Sequence, residues 1–230
     1  MTYVKRIACL ANSWKIGGAC VAGKEIAGDR WGGWIRPVSV RPAGELSQEE
    51  RHYENGQDPE VGDIVDIPLT ELRPSAYQQE NHVIDYRRHW KRVGRCTWEQ
   101  LQAAVDTVVG PLWENGHSSS RGINDCVPEG NATKLGDSLC LVRPVDLDLI
   151  VGREWEGKRR VRGQFSVDGL RYRLKVTDPV AVSHFLGRPD GTHRIEEAIL
   201  CLSLGEIFRG QAYKLIAAVI TRSRLEGEGL

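Results

Sequence analysis

Hydrophobic positions along this chain fall mainly into short runs, many with a period of two, the spacing of strands buried on one face. "RIACLA" (6–11) is an apolar run of buried-strand length. "WGGWIRPVSV" (31–40) reads as a strand closed by Pro37, and "GDIVDIPL" (62–69) alternates Ile64, Val65 and Ile67 around Asp66 before Pro68. "SLCLVRPVDLDLIV" (138–151) predicts two strands with a bend at Pro144. "RRVRGQFSV" and "LRYRLKV" flank Asp168-Gly169, a pair that readily takes positive φ, and predict a hairpin. "EEAILCLSLG" and "YKLIAAVI" add two further strands.

Helical signals are fewer. Ser47 with Glu50, and Thr97 with Gln100, have the spacing of capping boxes and predict helices over 47–54 and 97–109. Asp178-Pro179 opens and Gly187 closes a third, with Asp178 as its cap. Many short strands with a few short helices predict an all-β fold, or a β-rich α+β one, built on a barrel or sandwich. An Arg-Pro-Val triplet near position 36 recurs near 143, about half a chain away, as two copies of one small barrel would give. The Gly-, Ser- and Asn-rich stretch between them suggests a first domain over 1–115, a linking loop over 116–135 and a second domain over 136–230.

Composition narrows the class. The chain of 230 residues is 40% hydrophobic and 27% charged, as in soluble globular proteins. No apolar run approaches the roughly 18 residues needed to span a bilayer, so no membrane partner is expected. The first apolar run is broken by Asn12 and Ser13 and has no small-residue cleavage site, so a cytoplasmic location is expected. The six cysteines form no CxxC pair, and none lies within four residues of a histidine; they read as structural thiols. Neither metal nor cofactor is predicted. A net charge of zero argues against indiscriminate binding of polyanions, but the charges are segregated. Glu45 to Glu71 holds nine acids and one base, Lys158 to Lys175 holds seven bases and one acid, and Arg87 to Arg95 holds five bases and no acid. Basic runs interleaved with Trp90 and Tyr172 suit a nucleic-acid partner, since cations take phosphates and aromatic rings stack bases. A solvated basic sheet face is the plainer alternative.

Several blocks together, "CLANSWKIGGACVAGKE", "GWIRPVS", "QENHVIDYRRHWKRVG", "LWENGHSSSRGIND", "LKVTDPV" and "LCLSLGE…YKLIAAVI", resemble a family of bacterial proteins described as dual OB-fold domains. The resemblance runs over essentially the whole chain. It implies two tandem OB-like small barrels and a link to nucleic-acid sensing or processing and to prokaryotic defence or conflict systems. It supplies no catalytic residue.

Five blocks carry candidate chemistry. In the first, Asn12, Ser13, Trp14, Lys15 and Lys24 are suited to a phosphate, base or sugar, or else form a plain hairpin turning at Gly17-Gly18. Gly18 to Lys24 has P-loop glycine spacing, but Glu25 stands where the magnesium-binding hydroxyl belongs. Arg36 reads as a phosphate or carboxylate fork, or as half of a structural ion pair. Glu80, Asn81, His82, Asp85, His89 and Trp90 include acid–base and metal-ligand types, and read better as a binding surface. The loop with Trp113, Asn115, Ser119, Arg121, Asn124 and Asp125 reads as ligand recognition. Arg160, Arg162, Arg171 and Arg173 on the hairpin read as nucleic-acid contacts. The leading expectation is a non-enzymatic module for single-stranded nucleic acid or a nucleotide-like ligand, with Trp14, Trp90 or Trp113 stacking. One alternative is an enzyme acting on nucleotides or nucleic acid with a pocket built from the 80–89 and 113–125 blocks; another is a scaffold for a protein encoded nearby.

Overall fold

The structure, a computed structural model, describes residues 2–154 and 157–230. It divides into two units, Met1–Ala104 and Val105–Leu230. The first contains β1 (Tyr3–Lys15), β2 (Gly18–Ala27), β3 (Arg30–Val38), α1 (Gln48–Arg51), β4 (Asp63–Leu72), β5 (Asn81–Ile84), β6 (Lys91–Arg95) and α2 (Trp98–Ala103). The second contains β7 (Cys126–Pro128), α3 (Glu129–Ala132), β8 (Leu139–Val142), β9 (Val145–Arg153), β10 (Arg159–Val167), β11 (Leu170–Val176), α4 (Pro179–Leu186), β12 (Gly191–Arg194), β13 (Ile199–Phe208), β14 (Gln211–Ile220) and α5 (Arg222–Leu225).

The first unit is a closed barrel in the order β1-β2-β3-β5-β4, with β4 returning to β1 and β6 added beside β4. β1 closes it because it is long enough to serve two neighbours. Tyr3 to Ala8 pairs with β4, while Ile7 to Lys15 pairs with β2. An irregularity between Cys9 and Ala11 bends the strand between these tasks. Close approach of β2 to β1 requires Gly23, where a Cβ would stand 2.0 Å from the Ala8 carbonyl oxygen. β3 and β5 run parallel. Pro37 lies inside β3 rather than closing it. Pairing with β2 has ended at Ile35, so the missing N–H leaves no bond unmade there. Ile7, Val21, Ile35, Leu46, Ile67, Leu69 and Trp90 fill the core.

The second unit has the strand order β12-β9-β10-β11-β14-β13-β8. Only Arg143 and Pro144 separate β8 from β9, so the two act as one bent first strand: β8 pairs with β13 and β9 with β10. The two units thus share one strand plan. With β7 and the edge strand β12 set aside, the first three strands form a meander, the third lies parallel to the fifth (β3 with β5, β11 with β14), and a helix sits between the third and fourth (α1 and α4). Both are OB-like barrels. Asp168 and Gly169 take φ of 47° and 73° and make the expected turn. Asp178 caps α4, accepting from Val180 N–H at 3.1 Å, and its other oxygen accepts from Val219 N–H at 2.9 Å. Phe165 and Tyr172 stack at 5.7 Å inside the core.

Three further sequence expectations change. The Arg-Pro-Val echo does not mark equivalent places: Arg36 lies inside a third strand, whereas Arg143 lies in the bend of a first strand. Segment 116–135 is not a free linker. Ile123 bridges Arg173, and β7 pairs with β14, so the segment fills the gap where β11 and β14 diverge after only two paired positions. The helix over 97–109 stops at Ala103, because Asp106 turns to bond Leu141 through both its backbone N–H and its carboxylate.

Candidate nucleic-acid interface

Strand alternation sorts the β10–β11 hairpin by chemistry. Val161, Gly163, Phe165, Tyr172, Leu174 and Val176 point inward and are buried. Arg160, Arg162, Gln164, Ser166, Arg171, Arg173 and Lys175 point outward. Register places Arg162 opposite Lys175, Gln164 opposite Arg173, and Ser166 opposite Arg171. Arg160 lies two residues beyond the Lys175 level and Arg171 four residues before it. At about 3.3 Å per residue the basic row is ~20 Å long.

The cations in this row are not equivalent. Arg162 Nε donates to Glu154 at 2.9 Å, and its guanidinium stands 3.8 Å from Asp125. Arg173 donates twice to the Gln164 side-chain oxygen, at 3.1 and 2.6 Å. That pair of bonds fixes the amide of Gln164 and turns its NH2 group away from Arg173. Arg160, Arg171 and Lys175 are exposed and form no ion pair among the described residues. Sequence reasoning left Lys175 and Gln164 out of the candidate set, although the alternation that selected Arg171 and Arg173 also selects Lys175.

Beside this row, the 113–125 segment is tied inward. Asp125, buried, accepts from the N–H and the hydroxyl of Ser119, both at 2.6 Å. Gly122 packs so close that a Cβ there would stand 1.8 Å from the Asp125 carboxylate. Asn124 donates to the Arg171 carbonyl at 3.0 Å and accepts from Gly116 N–H at 3.1 Å. Arg121 donates to the Arg153 carbonyl. Trp113 packs on the core and donates its indole N–H to Asp137 at 2.6 Å. Asn115 donates to the Tyr172 hydroxyl at 3.0 Å and accepts from Lys214 at 2.9 Å. Lys214 is 1% exposed, donates also to the Glu114 carbonyl, and lies 5.3 Å from the centre of the Tyr172 ring. Burial lowers its pKa to about 8.

In the first unit, the opening block and the 80–82 block meet through Arg36. Its guanidinium is buried, stands 3.0 Å from Glu80 and 3.8 Å from Cys20 Sγ, and its strand position is level with Asn81. Asn81 donates to Gln78 at 3.3 Å. His82 Nδ1 and the Tyr3 hydroxyl are 2.6 Å apart, and burial holds the imidazole below its ordinary pKa. Asn12 donates to the Pro59 carbonyl, Ser13 to the Cys20 carbonyl and Lys15 to the Ala43 carbonyl. Lys24 is buried, donates to the Ala104 carbonyl at 2.7 Å and lies over Trp34. Trp90 is 2% exposed in the core, so its ring is closed to stacking. Trp14 is 57% exposed beside the Ile16-Gly17 turn between β1 and β2. The 80–89 and 113–125 blocks fall in different units. Among the described residues no three His, Cys, Asp or Glu side chains are grouped to hold a metal, and no helix is long and apolar enough to cross a membrane.

Residues 5–219 match the family model described as "Dual OB-containing domain". No protein of curated function matches the chain. Among solved structures, the crystal structure of the tetrameric p202 HIN2 is similar at 10% identity over 95% of this chain and 92% of that one, with a TM-score of 0.28. At that score the likeness has no bearing on function.

Proposed function

The chain belongs to the dual OB-containing domain family, and from that premise we propose that it is a binding module whose second barrel holds the backbone of single-stranded nucleic acid along β10 and β11. The carrying observation is the outward row from Arg160 to Arg171, in which three cations form no ion pair among the described residues. These two strands are the second and third of their barrel, the face on which OB folds often take oligonucleotides. Arg160, Arg171 and Lys175 are the phosphate contacts. The fixed Gln164 amide offers two donors to a phosphate or base oxygen between them. Trp14 is an open aromatic of the first unit and serves as a stacking platform there.

Binding is favoured over catalysis because the carboxylates of the candidate blocks are taken up internally, Glu80 by Arg36 and Asp125 by Ser119. Fluorescence anisotropy with a labelled single-stranded oligonucleotide tests the reading. Three neutralised phosphates give a slope of log affinity against log salt near about −2, at roughly −0.7 per phosphate. Arg171→Gln shifts that slope toward about −1.4, whereas Arg162→Gln, whose charge is already paired, shifts it less. Absence of binding at low salt refutes the proposal. Full competition by a mononucleotide would reassign the face to a small ligand.

A further inference from the structure

The geometry points to a reversible transition-metal site formed by His52 and His89, on the first unit and independent of the nucleic-acid reading. Each histidine immediately precedes one member of the isolated parallel bridge between Tyr53 and Trp90. Tyr53 and Trp90 both turn into the core, so alternation turns the two imidazoles to the opposite face. The buried pair fixes the backbone under both rings. Tyr53 is further pinned by its hydroxyl, which donates to Asp63 at 2.8 Å.

The ring centroids are 5.0 Å apart, with the planes inclined at 43°. With each nitrogen about 2.0–2.1 Å from one ion, two imidazole centroids stand ~4.5 Å apart at a square-planar angle and ~5.2 Å at a tetrahedral one. The observed spacing lies between these values. Neither ring has a hydrogen-bond partner among the described residues, which leaves nitrogen lone pairs open on both. Of the bases flanking the pair, Arg51 is paired with Asp58 at 2.7 Å, Arg87 with Asp85 at 2.9 Å and Arg92 with Asp63 at 3.1 Å, while Arg88 and Lys91 are exposed and act against a bound cation only through solvent-screened charge. With two protein ligands, water completes the shell, which makes the site exchangeable. Imidazole pairs select copper(II), nickel(II) and zinc(II) over magnesium and calcium.

Titration calorimetry of the full chain with each chloride salt tests this. One equivalent of copper(II) binds most tightly, nickel and zinc follow, and magnesium and calcium give no heat. His52→Ala and His89→Ala each weaken binding at least tenfold. His117→Ala, in the second unit, and Cys20→Ser leave it unchanged. His52→Asn and His89→Asn repeat the test should an alanine variant melt early. Affinity in both histidine variants within twofold of the parent overturns the inference, as does loss of binding in the Cys20 or His117 variant.

Discussion

Lys214→Met gives the most direct test of the energetics inside the second barrel. In the folded chain the ammonium is shut away from water, with two acceptors, the Glu114 carbonyl and Asn115, and the face of Tyr172. Burial brings its pKa from 10.5 to about 8, and a shift of that size corresponds to roughly 3 kcal/mol. The sign follows from proton counts. Between about pH 8 and 10.5 the unfolded chain holds a proton on Lys214 that the folded chain has lost, so stability rises with pH across that window. Below it, the folded state carries the full burial cost. Met removes the titration but leaves two acceptors without their donor, at about 1–3 kcal/mol each, so the two proteins differ little near pH 7. Urea unfolding of both at steps from pH 7 to 10.5 measures the difference. The parent should gain roughly 3 kcal/mol on Lys214→Met over that range. A difference that stays flat with pH refutes the reasoning.

Other substitutions probe separate features. Arg36→Met removes the cation 3.0 Å from the buried Glu80 carboxylate and should cost about 3–5 kcal/mol by thermal unfolding, while adding Glu80→Leu should recover most of that loss. Gly122→Ala drives a methyl into the Asp125 carboxylate and should destabilise the second unit by about 2 kcal/mol or more, seen as faster hydrogen exchange at Ile123. Trp14→Ala should leave the melting temperature unchanged, and oligonucleotide affinity should fall by about 1–3 kcal/mol without a change in salt slope.

Alternation made much of the fold legible. The 159–176 hairpin, its Asp168-Gly169 turn and the bend at Pro144 follow from local pattern, as does the outward set Arg160, Arg162, Arg171 and Arg173. Short strands with one or two decisive partners were not legible. β5 holds its place through pairing with β3 and β4, and β7 through pairing with β14, neither encoded in its own few residues. Polarity alone did not show where polar groups satisfy one another. Asn115, Ser119, Asn124 and Asp125 look like a recognition loop, yet each bonds the barrel or its own segment. Trp90 shows the converse. Its basic neighbours suggest an open surface, while its bridge to Tyr53 turns it into the core. Which cations carry counter-charges also depends on distant residues, Glu154 and Asp125 for Arg162.

The strap across the β11–β14 gap has a consequence for how the chain is made. Cys126 lies opposite Tyr213, and the Asp125 carbonyl accepts from Lys214 N–H. The earliest-synthesised part of the second unit is therefore locked by one of its last strands. At about 5–20 residues per second the ribosome needs roughly 4–17 s to travel that distance. The first unit, whose β1 is sealed by β4, completes its ring well before this point. The polar strap thus lacks its β14 partner until nearly the whole second unit has been made, and its density of Ser, Asn and Gly suits it to that wait.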